Sequence, residues 1–252
     1  MNMRERVWIL GVPLAPLTAE EALATVAEWL RAERGRTRLI FTPNAEIIAR
    51  AQVDPELRAA LAGADLTVPD GIGVVWASRF LGTPVPERVP GIELLEAVLG
   101  LAARQGYRVF FLGGRPGVAE EAAARLSARW PGLQVTGTHH GYFGPDEEEK
   151  VLENIRAAAP DILVVALGAP KQELWLTRHK EELTVRVALG VGGSLDVLAG
   201  RVKRAPQLFR RLGLEWLYRI LRQPERWRRA VFLPRFVLAV LAEALARKRG
   251  RE

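Results

Sequence analysis

Several polar side chains come directly after apolar, strand-like runs of the sequence, where an α/β protein usually holds its chemistry. Asp70 follows the run Leu66–Val68 and Pro69, and Gly71 comes next. A carboxylate at the end of a central strand would project into a cleft, where a general base needs to be. An aspartate before a glycine is more often part of a turn. The sequence therefore offers Asp70 as a base and leaves the structural alternative open.

Three other junctions carry polar groups. Thr42 and Asn44 stand where a strand runs into a helix, and helix capping by one of them is the alternative to ligand binding. Gln172 stands among charged residues at the start of another helix, a pattern that favours ligand handling but also suits a charged surface. Asp196 lies in the first turn of a further helix, where it could contact the helix dipole or bind a ligand N–H.

Glycine-rich turns also follow the strands, but they do not match known nucleotide motifs. Gly113, Gly114 and Gly117 lack the spacing of a dinucleotide fingerprint, and no P-loop motif is present. The sequence therefore disfavours a nicotinamide or flavin oxidoreductase and P-loop chemistry. Close backbone approach to a diphosphate by one of these loops stays open, since a helix N-terminus follows each.

The elements that must position these groups alternate between short apolar runs and helical patterns. This alternation predicts an α/β fold, a Rossmann-like, largely parallel sheet with helices on both faces. Ligands bind at the carboxyl ends of such strands. The predicted strands are Val7–Leu10, Leu39–Thr42, Leu66–Val68, Arg108–Leu112, Leu133–Thr138, Ile162–Leu167 and Val185–Val191. The main predicted helices are Ala19–Glu33, Glu93–Arg104, Val118–Trp130 and Glu147–Ala158.

The pattern changes near residue 200. Residues 201–252 carry 15 Lys and Arg against four Asp and Glu, although the net charge of the whole chain is only +7. We therefore predict an α/β catalytic domain over residues 1–200 and a basic helical appendage over residues 201–252. Such an appendage needs an anionic partner, which could be a phosphorylated ligand, a lipid surface or nucleic acid.

Arginines and aromatic residues are interleaved in the appendage. Arg219, Arg222, Arg226 and Arg229 recur at helical spacing, and several guanidinium groups suit a diphosphate. Trp216, Trp227, Phe232 and Phe236 suit a helix lying at a lipid headgroup layer. A nucleic-acid-binding protein is the alternative, although the appendage lacks a recognisable nucleic-acid motif.

Composition excludes other classes of protein. The chain of 252 residues has no cysteine and three histidines, which argues against disulfide scaffolds, thiol catalysis and Cys- or His-based metal centres. Its N-terminus does not resemble a signal peptide, and its apolar runs are too short to cross a bilayer. We therefore expect neither a transmembrane segment nor a metal site.

Ordered blocks over nearly the whole chain resemble the WecG/TagA/CpsF family of bacterial glycosyltransferases, which contains the N-acetylmannosaminyltransferase of wall teichoic acid synthesis. The blocks are TPNAEI, ADLTVPDGIGVVW, PERVPGIELLE, FFLGGRPGVAEEAAARL, HHGYF, LGAPKQELW, GVGGSLDVLAGRVKRAP and GLEWLYRILRQPERWRR. The resemblance implies transfer of N-acetylmannosamine or a related hexose from a UDP-sugar to a GlcNAc-type acceptor linked to polyprenyl diphosphate. It further implies inversion, no metal or other cofactor, and a cytoplasmic protein bound peripherally to the inner face of the cell membrane.

The resemblance also implies roles for individual residues. Asp70 would be the general base, and Arg88 and Gln172 would join it as catalytic residues. Thr42, Asn44, Tyr142 and Asp196 would bind donor or acceptor, with the last two contacting the nucleotide. Arg219, Arg226 and Arg229 would close over the cleft and neutralise the UDP leaving group, since the sequence has no Asp-x-Asp motif to hold a metal ion. The resemblance does not fix the donor sugar or the oligomeric state, so a homo-oligomer stays open, and it implies no nucleic acid partner.

Overall fold

The computed structural model describes residues 5–211, 213, 215–222 and 231–249, without the side chains of residues 210, 211, 219–222 and 249. Its centre is a six-stranded sheet in which every neighbouring pair of strands is parallel. The strand order is β4-β3-β8-β7-β5-β6. The strands are β3 (Arg38–Phe41), β4 (Leu66–Thr67), β5 (Arg108–Gly113), β6 (Gln134–His139), β7 (Ile162–Ala166) and β8 (Val187–Gly190).

Helices cover both faces of this sheet, as the sequence predicts for a parallel sheet. One face, called here the α2 face, packs against α2 (Ala45–Ala51), α3 (Pro55–Ala62), α4 (Ile72–Phe80), α7 (Pro145–Ala158), α8 (Lys171–Arg178) and α12 (Phe232–Arg249). The other, the α5 face, packs against α1 (Ala19–Arg31), α5 (Gly91–Gln105), α6 (Val118–Arg129) and α9 (Ser194–Leu198). In β7, Leu163 and Val165 point to the first face and Ile162 and Val164 to the second. Each face thus has its own apolar core.

The sheet confirms the predicted α/β class and corrects one element. The first predicted strand does not join the parallel sheet. Instead, β1 (Val7–Ile9) pairs antiparallel with β2 (Val12–Leu14) in a separate hairpin. Leu10 and Gly11 form its two-residue turn, and both have positive φ. Strand β2 was not predicted, because Gly11 and Pro13 are typical of positions where a strand ends. A two-stranded ribbon nevertheless tolerates proline where no further strand needs a hydrogen bond from that backbone nitrogen.

Only helices follow residue 200 in the part of the chain that the structure describes. They are α10 (Gln207–Arg211), α11 (Glu215–Arg222) and α12 (Phe232–Arg249). Helix α12 is docked on the body, because Phe236 and Val240 are buried in the core of the α2 face. The carboxylate of Glu243 accepts a hydrogen bond of 2.9 Å from the backbone N–H of Leu10. The last helix therefore contributes to the core as well as to the surface.

Candidate active site

The topology creates a crevice at the carboxyl ends of β3 and β8. These strands are neighbours, but the helix after β3 packs on the α2 face and the helix after β8 on the α5 face. Two neighbouring loops that diverge to opposite faces leave an opening between them, and this is where doubly wound sheets bind ligands. Several of the predicted polar residues lie near this opening: Thr42 and Asn44 follow β3, Asp70 follows β4 and Asp196 follows β8, while Gln172 lies at the start of α8.

Asp70 lies at the bend between β4 and α4 and is tied to the neighbouring loop by its backbone. Its N–H donates over 3.1 Å to the carbonyl of Pro43, two residues after the end of β3. The next residue, Gly71, has a φ of +117°, a backbone conformation that favours glycine. The bend therefore holds Asp70 next to the loop that carries Thr42 and Asn44.

Arg88 reaches the same place from a different segment. The N–H of Val89 donates to the carbonyl of Pro69 over 2.9 Å, so the backbone segments that carry Arg88 and Asp70 lie side by side. Thr42 faces the start of α5, since a Cβ built on Gly91 would lie 2.5 Å from the Thr42 Oγ1 atom. A glycine at position 91 is what allows the threonine to sit against the helix terminus.

Asn44 has the structural role that the sequence analysis left open. It is the N-cap residue of α2, and its Oδ1 atom accepts a hydrogen bond of 3.0 Å from the N–H of Ile47. The capping bond uses the carbonyl oxygen of the side chain and leaves its NH2 group outside that bond. Capping therefore fixes the asparagine without using its donor group.

Gln172 is buried and bridges two loops of the crevice. Its Oε1 atom accepts a hydrogen bond of 2.8 Å from the N–H of Gly192, in the loop after β8. Its Nε2 atom donates to the Oε1 atom of Glu173 over 2.9 Å. Both ends of the amide are thus engaged inside the protein, so Gln172 acts on the crevice by holding the Gly192 loop in place.

Glu173, one of the charged residues next to Gln172 at the start of α8, has a buried carboxyl group. Burial raises the pKa of Glu173, although the hydrogen bond from Gln172 and the charge of Arg50 act in the opposite direction. Among the described residues, its Oε2 atom has no hydrogen-bond partner. This burial could not be predicted, because neither the helical period nor the composition distinguishes a buried glutamate from an exposed one at a helix start.

The glycine turn after β5 serves the packing of the loops. A Cβ on Gly113, which has a φ of +134°, would lie 2.4 Å from the carbonyl oxygen of Ala166. The N–H of Gly114 donates to the same oxygen over 3.1 Å, and the N–H of Gly141 donates to the carbonyl of Gly114 over 2.8 Å. The end of β5 is therefore packed closely on the end of the neighbouring strand β7, and the loop after β5 is bonded to both β7 and the loop after β6.

Tyr142 and Asp196 follow strands that are well separated in the sheet. Tyr142 follows Gly141 in the loop after β6 and is 64% exposed. Asp196 is half-buried in α9, and together with Glu121, which acts more strongly, it raises the pKa of Arg201. Asp196 thus follows β8 at the crevice, whereas Tyr142 follows the edge strand β6, three strands away.

The basic helical appendage, called here the basic segment, starts on the α5 face at residue 201 and ends on the α2 face with α12. Arg201 pairs with Glu121 over 2.7 Å, in the first turn of α6, and Arg204 pairs with Glu93 over 2.5 Å, in the first turn of α5. Further along, Gly213 is packed on Ile72, since a Cβ there would lie 2.7 Å from the Ile72 Cβ atom. The segment thus runs across the carboxyl edge of the sheet, beside the Asp70 bend.

The structure does not test the roles predicted for Arg219, Arg226 and Arg229. Arg219 lies in α11, but its side chain is outside the described atoms, and Arg226 and Arg229 lie outside the described residues altogether. Arg201 and Arg204, by contrast, are used to attach the appendage to the body. Across the described ranges, no three His, Asp or Glu side chains form a group that could hold a metal ion. Nor does any described helix have the length and apolar character needed to cross a membrane.

Comparison with known proteins agrees with the resemblance. Residues 7–250 match the model of the glycosyl transferase WecG/TagA/CpsF family. The chain is 40% identical over 209 residues to the N-acetylglucosaminyldiphosphoundecaprenol N-acetyl-beta-D-mannosaminyltransferase of Bacillus spizizenii, a match that covers 83% of this chain and 80% of that protein. Neither finding supports the nucleic-acid alternative. The chain is a glycosyltransferase and belongs to the WecG/TagA/CpsF family.

Proposed function

We propose that this glycosyltransferase moves N-acetylmannosamine from UDP-N-acetylmannosamine to N-acetylglucosamine linked to undecaprenyl diphosphate. The name of the Bacillus spizizenii relative supports the transferred sugar and the acceptor. The observation that carries the proposal is the backbone pairing of the Thr42, Asp70 and Arg88 segments around one opening, with the basic segment passing beside it. This arrangement brings a carboxylate and cationic groups to the same place.

Asp70 is the general base in this proposal. Its carboxylate takes the proton from the acceptor hydroxyl as the hydroxyl oxygen attacks the anomeric carbon, and the bond from that carbon to the UDP oxygen breaks. A single displacement on an α-linked nucleotide sugar inverts the anomeric carbon and gives a β-linked product. The relative's name specifies a β-linked N-acetylmannosaminyl product, which supports this stereochemistry.

The leaving group is stabilised by fixed cations. Negative charge develops on the UDP oxygen as the bond breaks, and cations held in place lower the energy of that transition state. In this proposal the guanidinium groups come from Arg88, whose segment is paired with the Asp70 bend, and from Arg219, Arg226 and Arg229 of the basic appendage. Thr42 and the NH2 group of Asn44 hold the sugars, Tyr142 and Asp196 contact the nucleotide, and Gln172 positions the Gly192 loop.

The proposed acceptor also sets where the protein works. Its polyprenyl chain is embedded in a bilayer, so the enzyme must act at the inner surface of the cell membrane. Helix α12 has exposed apolar side chains at Leu238 and Leu245 and basic residues such as Arg235 and Lys248, a composition suited to an anionic lipid surface. We therefore propose peripheral membrane association.

The test is a screen of nucleotide sugars with a prenyl-diphosphate-linked N-acetylglucosamine acceptor, with released UDP and the glycolipid product both measured. We expect UDP-N-acetylmannosamine to be the preferred donor and the reaction to proceed with EDTA present. Transfer of a different sugar would correct the donor and retain the enzyme class. Absence of glycolipid product with every donor would overturn the proposed reaction.

A further inference from the structure

Helix α4 carries an apolar stripe on its outer face, formed by Ile72, Trp76 and Phe80 and called here the aromatic stripe after its two rings. These side chains are 44%, 44% and 47% exposed, although each is large and apolar. The Trp76 and Phe80 rings stack with their centroids 5.2 Å apart and their planes 15° from parallel. Residues four apart on a helix lie on the same face, so the three side chains form a continuous strip.

The stripe is not required for the core. The inner face of α4 supplies that contact through Val74 and Ala77, which are fully buried in the core of the α2 face. Exposed single apolar residues are common on protein surfaces, but a continuous strip of large ones is a feature of interaction sites. The helix is therefore anchored on one side and presents an aromatic surface on the other.

The stripe begins at the candidate active site. Ile72 is two residues after Asp70, and Gly213 of the basic segment packs directly on Ile72. From Ile72, the helix carries the stripe about 12 Å away from the crevice, at 1.5 Å per residue. A ligand that places its hydroxyl at Asp70 and extends along α4 would thus meet Trp76 and Phe80 beyond its first sugar ring.

We propose that the aromatic stripe binds the isoprenoid chain of the acceptor, at the end that adjoins the diphosphate. This inference rests on the proposed function, because that acceptor has a sugar at one end, a diphosphate in the middle and an apolar chain at the other. In this proposal the acceptor sugar lies at Asp70 in the crevice, the diphosphate passes Ile72, and the isoprenoid chain continues over the rings of Trp76 and Phe80. Branched, unsaturated isoprene units pack well on aromatic rings, which bury large apolar areas.

The test measures binding by calorimetry with the full chain and two probes, inorganic diphosphate and geranylgeranyl diphosphate. We expect the wild-type protein to bind the prenyl probe more tightly. The double variant Trp76→Ser/Phe80→Ser should weaken that binding about tenfold and leave the affinity for inorganic diphosphate unchanged. The Trp76→Phe variant keeps an aromatic ring and should retain most of the affinity.

The matched control is Val53→Ser, which removes an apolar side chain that is 74% exposed in the turn after α2 and is not part of the stripe. This control should bind both probes as the wild type does. In the transfer reaction, the stripe variant should raise the KM for a long-chain acceptor and not for an acceptor with a single isoprene unit. A thermal unfolding curve verifies that each variant is folded.

Other results would overturn the inference. The inference is wrong if the wild-type protein binds geranylgeranyl diphosphate no more tightly than inorganic diphosphate. It is also wrong if the stripe variant loses the same affinity for both probes. A change of molecular mass in light scattering would assign the stripe to contact between two copies of the chain. Lost affinity for phosphatidylglycerol vesicles without any prenyl diphosphate would assign it to the bilayer. If no sugar is transferred to any acceptor but the protein still binds the prenyl probe more tightly than inorganic diphosphate, the proposed reaction is wrong and the assignment of the stripe is retained.

Discussion

At the scale of single residues, Gln172 and Asn44 are both tied into the protein by bonds to backbone N–H groups. Asn44 caps α2, and Gln172 bridges Gly192 and Glu173. The sequence predicted that these polar residues would lie at the carboxyl edge. It could not decide between structural bonds and ligand contacts, because a cap and a ligand site occupy the same junction of strand and helix. That decision depends on which atoms the fold brings within reach.

Gln172→Ala is expected to destabilise the protein and disturb the crevice. The change leaves the Gly192 N–H and the Glu173 Oε1 atom without their shared partner, and each lost bond of this kind costs about 1–3 kcal/mol. Chemical denaturation measures the effect. Gln134→Ala, at an exposed position in β6, is the control and should stay close to wild type. An equally small effect at both positions would show that the Gln172 bridge does not hold the loop.

Glu173 makes stability depend on pH. Because burial raises the pKa of Glu173, the folded protein keeps a proton that the unfolded chain has already released between the ordinary glutamate pKa and the raised one. The favourable contribution is thus complete below the ordinary pKa and is lost as the pH rises through the raised pKa. We expect Glu173→Gln to remove this part of the pH dependence of the free energy of unfolding. An unchanged pH dependence would show that Glu173 does not titrate differently in the folded state.

At the scale of elements, the alternation of apolar runs and helical periods was sufficient to predict the strands of the parallel sheet to within a few residues. Strand β2 was missed, and α2 was predicted only as a helix near Thr42 and Asn44, without bounds. Both are three to seven residues long, and too few positions exist in such segments for a period to be recognised. Their formation depends on tertiary contacts that a local pattern does not contain.

The loops at the carboxyl edge depend on particular glycines, and this gives a prediction at the scale of elements. Gly113→Ala would force a Cβ to within 2.4 Å of the Ala166 carbonyl oxygen at a φ of +134°. We expect a loss of about 2–3 kcal/mol in the free energy of unfolding. Gly144→Ala is the control, since a Cβ there meets nothing within 4 Å. Equal stability of the two variants would contradict the close packing of the ends of β5 and β7.

At the scale of the whole molecule, the basic segment joins the two faces of the sheet. It leaves the α5 face through Arg201 and Arg204, passes Ile72 and ends with α12 in the core of the α2 face. The charge pattern predicted a basic helical appendage, but it could not reveal that Phe236 and Val240 would be buried. An aromatic residue on a basic helix suits a lipid surface and a protein core equally well. Only the three-dimensional structure shows which of the two surrounds Phe236.

Phe236→Ala is therefore expected to destabilise the whole protein. Deletion of a buried phenylalanine side chain costs about 3–5 kcal/mol. Leu238→Ala, two residues away and 67% exposed, is the control and should change stability by less than about 0.5 kcal/mol. Thermal or chemical unfolding of the full chain measures both. If Phe236→Ala is as stable as Leu238→Ala, α12 is not part of the core.

The central claim is that Asp70 removes the proton from the acceptor, and the direct measurement is turnover and UDP affinity of Asp70→Asn. The amide keeps the size of the side chain and loses the base, so we expect turnover to fall by at least about a hundredfold while the Kd for UDP stays near the wild-type value. Asp54→Asn is the control, because Asp54 caps α3 and asparagine caps a helix equally well. Turnover of Asp70→Asn within a few-fold of the wild type would contradict the account.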